Sequence, residues 1–392
     1  MKTRSTLTIL LLATLLGVSA LVALAAPSDD PSAPAALAAP LDVCLSGQSG
    51  NWSNSSTWST CDSDGIPDGD DIVIINNGHT ITMIADAAAY QLIVGGGSSG
   101  MLTHGTGSQT LTVGAGGVSV SSGATFNAPE TLNIAGNLTN NGTFNTTDST
   151  VVMNGTGAQS ISGASLTFHN LTINNSAGVN LNNNATVNGT LTLNYDLNVS
   201  SEYVLTMGSS ATTQGNADVV GKTKRTSLSS GTAYSFGSPY TTIQFASSGT
   251  LPSEITVQLF KSAPGGLANA VQRYYSITPT GGSGYTFDLQ LHYLDSELSG
   301  INENNLQMWQ QVNGRWTLRS VTSRDTSNNW VQKTGLTSFS LWALSDSGAP
   351  TAVTLSTFEA RADAPSALPF IGLGALAVVT LGVVVWWRTM NQ

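Results

Sequence analysis

Positive charge is the scarcest property of this chain. No Lys or Arg stands between Arg4 and Lys222, while the same interval carries 14 Asp and Glu. Only 9% of the 392 residues are charged, against about 25% in ordinary soluble domains. Phosphate backbones are held by basic patches, so nucleic acid is not an expected partner. Histidine is equally sparse. His79, His104, His169 and His292 share no common spacing, and each is expected on a turn or at the surface. Two cysteines, Cys44 and Cys61, with no histidine beside them exclude a four-ligand zinc site. In an exported chain an even count pairs, so a Cys44–Cys61 disulfide is expected. Free thiols are the alternative, disfavoured outside a reducing cytosol. Closing so short a loop would contribute about 3 kcal/mol.

What the chain has is a repeat. Apolar-x-apolar triplets begin at Leu92, Leu111, Leu132, Val151, Leu171 and Leu191, close to 20 residues apart. Second triplets (Val118–Val120, Val179–Leu181, Leu197–Val199) and third ones (Ala124–Phe126, Gly142–Phe144, Leu166–Phe168, Ala185–Val187) fill the intervals, with Gly, Asn and Ser between. Three short strands and three turns per period describe one coil of a right-handed parallel β-helix, in which each coil buries its apolar face only by stacking on its neighbours. Six coils at strand spacing make a rod of about 29 Å. Asn154, Asn174 and Asn194 recur at one position, suited either to an amide ladder or simply to turns.

The two ends of the chain read as addresses. Residues 1–26 carry Lys2 and Arg4, an apolar run from Leu7 to Leu24 and the small-x-small site Ala23-Leu24-Ala25, the pattern of an export signal. Residues 27–41 are an Ala/Pro/Ser linker. After a second linker, 347–366, the 21 apolar residues Ala367–Trp387 extend about 31 Å as a helix, enough to span a bilayer. Trp386, Trp387 and Arg388 suit its cytoplasmic interface, so 367–388 is read as a membrane anchor with the domains outside.

Candidate sites are few. Asp62, Asp64, Asp68, Asp70 and Asp71 crowd into ten residues and form a candidate calcium set. The run fails the EF-hand pattern, which sets it against a plain solvated turn. Parallel β-helices also host lyases and glycoside hydrolases. Glu130 and Asp148 lie 18 residues apart, nearly one coil, as a glycosidase pair would require. The lyase route needs a basic residue, and this half has no Lys or Arg. Enzymatic activity is therefore not expected, and no cofactor beyond calcium is implied.

At Lys222 the composition changes and the period stops. Strands are expected at Thr241–Ala246, Glu254–Phe260, Arg273–Thr278, Tyr285–Tyr293, Leu306–Gln311, Arg315–Val321, Asn329–Lys333 and Phe339–Leu344, together an antiparallel β-sandwich over 222–346. Trp309 and Trp316 are candidate sugar-stacking residues, with core packing as the plainer role.

Gly50-Asn51-Trp52, Thr57-Trp58, Pro67 to Ile74 and Gly78-His79-Thr80, in that order, resemble the N-terminal module of exported bacterial β-helix proteins and the eight-glycine domain of some surface proteins. The resemblance covers about residues 44–95 and implies a cap on the open end of the helix, assigned here to 42–91 with the coils over 92–221. Phe168-His169-Asn170-Leu171 and Val187-Asn188-Gly189-Thr190 are similar to repeats of large exported proteins, and Arg273-Tyr274-Tyr275, Gly314-Arg315-Trp316 and Ser338 to Leu344 to their C-terminal module. Leu368-Pro369-Phe370-Ile371-Gly372 resembles a sortase signal with Ile371 where Thr belongs, which implies either a simple membrane anchor or processing by a different sorting enzyme. The whole is an all-β chain: a structural or adhesive surface protein contacting the membrane and surface glycans or proteins, or alternatively a carbohydrate-binding or carbohydrate-active one.

Overall fold

The computed structural model describes residues 41–346 apart from 63 and 165. The export signal, both linkers and the apolar segment 367–388 lie outside the described residues. Among the described residues no helix is long and apolar enough to cross a membrane.

Residues 42–226 form a parallel β-solenoid of about eight turns. Alternation makes the coils. In Thr131–Ile134 and Asn170–Ile173 the Leu and Ile side chains are buried while Asn133 and Thr172 point outwards. Period-two patterning on short strands leaves one face for the core. Between-coil register then stacks like on like. On the first flank Cys44, Val73, Leu92, Val118, Leu138, Ile161, Leu181 and Val199 pair in succession. All eight are buried. Each fully buried Leu or Ile contributes about 1.5–3 kcal/mol of transfer free energy. A second flank stacks Leu111, Leu132, Val151, Leu171 and Leu191. Turns need special backbone at some corners: Gly163 has φ of 101°, and a Cβ there would stand 1.9 Å from the Asn140 carbonyl oxygen.

The coils begin earlier than the triplet count indicates. Asp42–Ser46 and Asp71–Ile75 already pair in parallel as coil strands, so the segment 42–91 is both cap and solenoid. Leu92 also changes column. It faces Val118, whereas Leu111 is opposite Ala87. The reason is that Ala87–Val94 bends around two flanks, with a register shift between Ala89 and Gln91. The amide ladder forms between Asn194 and Asn174 at 3.1 Å, and a second joins Asn145 to Asn127 at 2.7 Å.

At each end one coil strand is covered by antiparallel pairing. At the N-terminus, Trp58–Ser59 folds back so that Leu45 pairs with Ser59 and Ser46 with Trp58. Trp52 and Trp58 meet edge to face at 5.2 Å, and their ring N–H groups donate to the Pro67 and Trp52 carbonyls. Cys44 and Cys61 are joined in a disulfide that fixes this flap to the first coil. At the other end, Val219–Thr226 pairs in parallel with Leu205–Met207 on one edge and antiparallel with Glu254–Phe260 on the other. The boundary expected between 221 and 222 therefore falls inside one strand.

From that strand the sheet continues antiparallel through Ala270–Thr280, Leu341–Ser345, Gln307–Val312 and Arg315–Arg319. A second antiparallel sheet orders Ala233–Ser235, Thr242–Phe245, Phe287–His292, Trp330–Leu336 and Ser323–Asp325. Ile255, Val257, Tyr275 and Trp342 of the first share one core with Ile243, Phe245, Leu289 and Val331 of the second.

On the third flank, strand pairing breaks between Thr143–Asn145 and Leu166–Phe168, which belong to different sheets. Phe126, Phe144 and Phe168 bridge the break, with ring centroids 5.4 and 6.2 Å apart. Phe144→Ala should lower stability by about 3–5 kcal/mol, read as a shift of the urea midpoint with unchanged slope.

Candidate functional site

The apolar columns end in charge. Phe168, Val187 and Met207 stack in register on the third flank, and the next residue in that column is Arg225. It is 2% exposed. Its guanidinium donates to the carbonyls of Gly208, Ala211 and Ser235 at 2.7–2.9 Å and stands over the Tyr234 ring. Burial pushes its pKa down to about 10. No carboxylate is needed, because main-chain oxygens of the last turn (Gly208, Ala211) and of the strand Ala233–Ser235 accept from it.

Beside it lies a denser network. Asp218 opens the strand Val219–Thr226, Arg273 lies within Ala270–Thr280, His292 ends Phe287–His292, and Glu297 closes the short helix Asp295–Glu297. Arg273 donates to Asp218 at 2.8 Å, to Glu297 through both Nε and Nη2, and to the Tyr275 hydroxyl at 3.0 Å. The Tyr275 hydroxyl in turn donates a hydrogen bond to the His292 carbonyl at 2.8 Å, and His292 Nδ1 stands 3.3 Å from Asp218. Burial alone would raise the Asp218 carboxyl. The Arg273 charge and the hydrogen bonds from His292 and Arg273 overcome it and hold the group well below the ordinary carboxylate range. Burial opposes the Arg273 charge, yet Tyr275, Asp218 and Glu297 together raise its pKa.

The network reaches the surface through Lys261. Its ammonium bridges Asp218 at 3.2 Å and Asp196 at 2.7 Å. Here the solenoid turns and the first antiparallel sheet enclose a groove of about 400 Å³, lined by Asn175, Asn194, Tyr195, Asp196, Asn198, Asn216 and Lys261 among others. Tyr195 is 43% exposed. An exposed ring beside amides, a carboxylate and an ammonium can stack on and hydrogen-bond a polyhydroxylated ligand.

The residues singled out from sequence are distributed differently. Asp64 accepts from the Ile66 N–H, Asp68 from Asp70 and Asp71 from Asp68, so these carboxylates are turned onto their own backbone. Burial raises the Asp71 carboxyl. Among the described residues no group of three or more His, Cys, Asp or Glu is gathered as a metal site. Glu130 and Asp148 are exposed on neighbouring coils, since Thr131 pairs with Thr150. Trp309 is fully buried and turns no face to solvent, because its strand is covered on both sides. Trp316 is half-buried and donates to the Gly265 carbonyl. His292, expected at the surface, is 4% exposed, drawn in by the Asp218 and Arg273 network.

Sequence reading passed over Tyr195, Asp196, Asp218 and Lys261. A signal was there: Asp196 and Asp218 are two of only three acids between Asp148 and Lys222, 22 residues or one coil apart, and Asp218 lies just before the basic cluster that opens at Lys222. No family description, curated protein or solved structure matches this chain.

Removing one partner of a buried pair leaves the other uncompensated. Arg273→Met should therefore destabilise by about 3–5 kcal/mol. Asp218 has a depressed folded pKa, so its stabilisation is complete above its unfolded value of about 4 and is lost as pH falls below it. Thermal melts from pH 6 to 2 should show a declining wild-type limb that Asp218→Asn flattens.

Proposed function

We propose that this chain is a non-enzymatic, exported protein of the bacterial cell surface, structural or adhesive in role, with the solenoid as its displayed platform and residues 367–388 as its membrane anchor. One observation carries the reading most: on two flanks, successive coils present hydroxyls and amides outwards. The third flank shows this in Thr167, Thr186 and Thr206 and the first in Asn180 and Asn198. A neutral, hydrogen-bonding surface on a rod suits contact without chemistry. The disulfide, the signal-like N-terminus and the resemblance of residues 44–95 to an eight-glycine module support export. Protease added to intact cells expressing the full chain should degrade residues 41–346 and leave the C-terminal segment in the membrane fraction. Complete protection would overturn the surface assignment.

The groove at Tyr195 favours a second reading, a carbohydrate-binding module. Its exposed ring lies beside Asp196 and Lys261. On a glycan array, with calcium and with chelator, the full chain should bind a sugar and Tyr195→Ala should lose it. Binding unchanged in Tyr195→Ala removes the groove from consideration. Loss in chelator alone would assign calcium to the Asp62–Asp71 run.

A further inference from the structure

Asparagine is placed in the solenoid by more than turn geometry. Of the 22 asparagines between Asp42 and Thr226, eleven are followed two positions on by Ser or Thr, with no Pro between. Ser and Thr make up about a quarter of that stretch, so chance would supply about six such triplets. The C-terminal module serves as the comparison within the chain. Its seven asparagines, from Asn269 to Asn329, form none, although Asn313 and Asn328 are equally exposed on turns. An asparagine that served only to turn the chain would not select the residue two places on.

Four of the eleven show how the group is presented. Asn54, Asn137, Asn174 and Asn184 are exposed, and each lies just outside a strand, where a bulky substituent disturbs no ladder. In each the amide oxygen is held. Asn137 Oδ1 accepts from the Ser160 N–H at 2.8 Å, Asn184 Oδ1 from the Val204 N–H at 2.9 Å and Asn174 Oδ1 from the Asn194 amide at 3.1 Å. Asn54 Oδ1 accepts from the N–H and the hydroxyl of Ser56, the third residue of its own triplet, at 3.1 and 3.0 Å. A held oxygen fixes the amide plane. The Nδ2 of these four has no hydrogen-bond partner among the described residues, so the nitrogen is the free end of an oriented, exposed amide.

We propose that the solenoid is a glycosylated rod, with N-linked sugars on these asparagines. The co-substrate is an oligosaccharide carried on a lipid diphosphate. The amide nitrogen attacks C1 of the first sugar: the C1–N bond forms, the C1–O bond to the diphosphate breaks, Nδ2 gives up one proton and the lipid diphosphate leaves. The cell supplies donor and transferase, so the inference rests on the export reading. It also meets a need of the coils. They carry no Lys or Arg before Lys222, and mixed surface charge is the usual source of solubility. Asparagine-linked sugars are bulky and solubilising without charge.

The test is peptide mass spectrometry on the full chain purified from the cells that make it, with N-terminal sequencing of the same sample. Solenoid peptides should carry mass increments of whole sugar residues on asparagine, and peptides from 227–346 none. Thr139→Ala should remove the increment at Asn137 while Thr139→Ser keeps it. Asn184→Gln should remove the increment at position 184, and all three variants should keep the wild-type circular dichroism. Bare asparagines on a chain whose N-terminus has been processed overturn the inference and leave export standing. Bare asparagines on a chain that retains Met1 overturn both. Increments that map to Ser or Thr hydroxyls and persist in Asn184→Gln overturn it as well.

Discussion

An unpaired strand edge is the constraint on which this molecule depends. Parallel coils hydrogen-bond only to the coil above and the coil below, so a solenoid always has two edges that lack a partner. Exposed, such edges recruit other chains. Here one strand of each terminal coil is covered by reversing the direction of pairing. Trp58–Ser59 runs back along Asp42–Ser46, held there by the disulfide and by two tryptophans. Val219–Thr226 completes the last coil with one edge and starts an antiparallel sheet with the other. The C-terminal module is thus the continuation of the solenoid's own sheet.

That continuity explains why charge is buried where it is. A β-strand cannot end a coil and leave the carbonyls of the preceding turn without donors. Arg225 takes the place that Met207 and Val187 occupy in the coils before it, and its planar fork serves the Gly208 and Ala211 oxygens of that turn and the Ser235 oxygen of the next sheet at once. Arg273 does the equivalent for the seam between the module's two sheets, tying Asp218 of the solenoid strand to Glu297 and the His292 strand. Buried ions are costly unless their lone pairs and protons are all used. Three of the basic residues that follow residue 221, Arg225, Lys261 and Arg273, are used in this way.

Periodicity made the coils legible, because burial in a stacked solenoid is decided locally. Leu171-Thr172-Ile173 carries its own inside and outside. Strand positions in the second half were legible for the same reason: Glu254–Phe260 is found where alternation put it. What is set by register between distant segments was not. Leu92 was grouped with Leu111, and only the bulge at Ala89 to Gln91 shows that it belongs a flank away. The first coils were hidden because a long excursion separates Asp42–Ser46 from Asp71–Ile75 and breaks the period. Arg273 and Asp218 are 55 residues apart, and the groove at Tyr195 depends on Lys261, 65 residues beyond Asp196. Trp309 shows the converse limit. Composition marks a ring as suited to a ligand, but only the packing tells which side of a sheet is covered.

The closures at the two ends contain much of what is particular to position, while some coils between them repeat one another closely. Asn170–Ile173 and Thr190–Leu193 present the same register to the strands on either side. Unequal recombination between such units could add or delete a coil without disturbing either terminus. The length of the rod is therefore a quantity that evolution can adjust in steps of about 4.8 Å, independently of the sequences that make it fold.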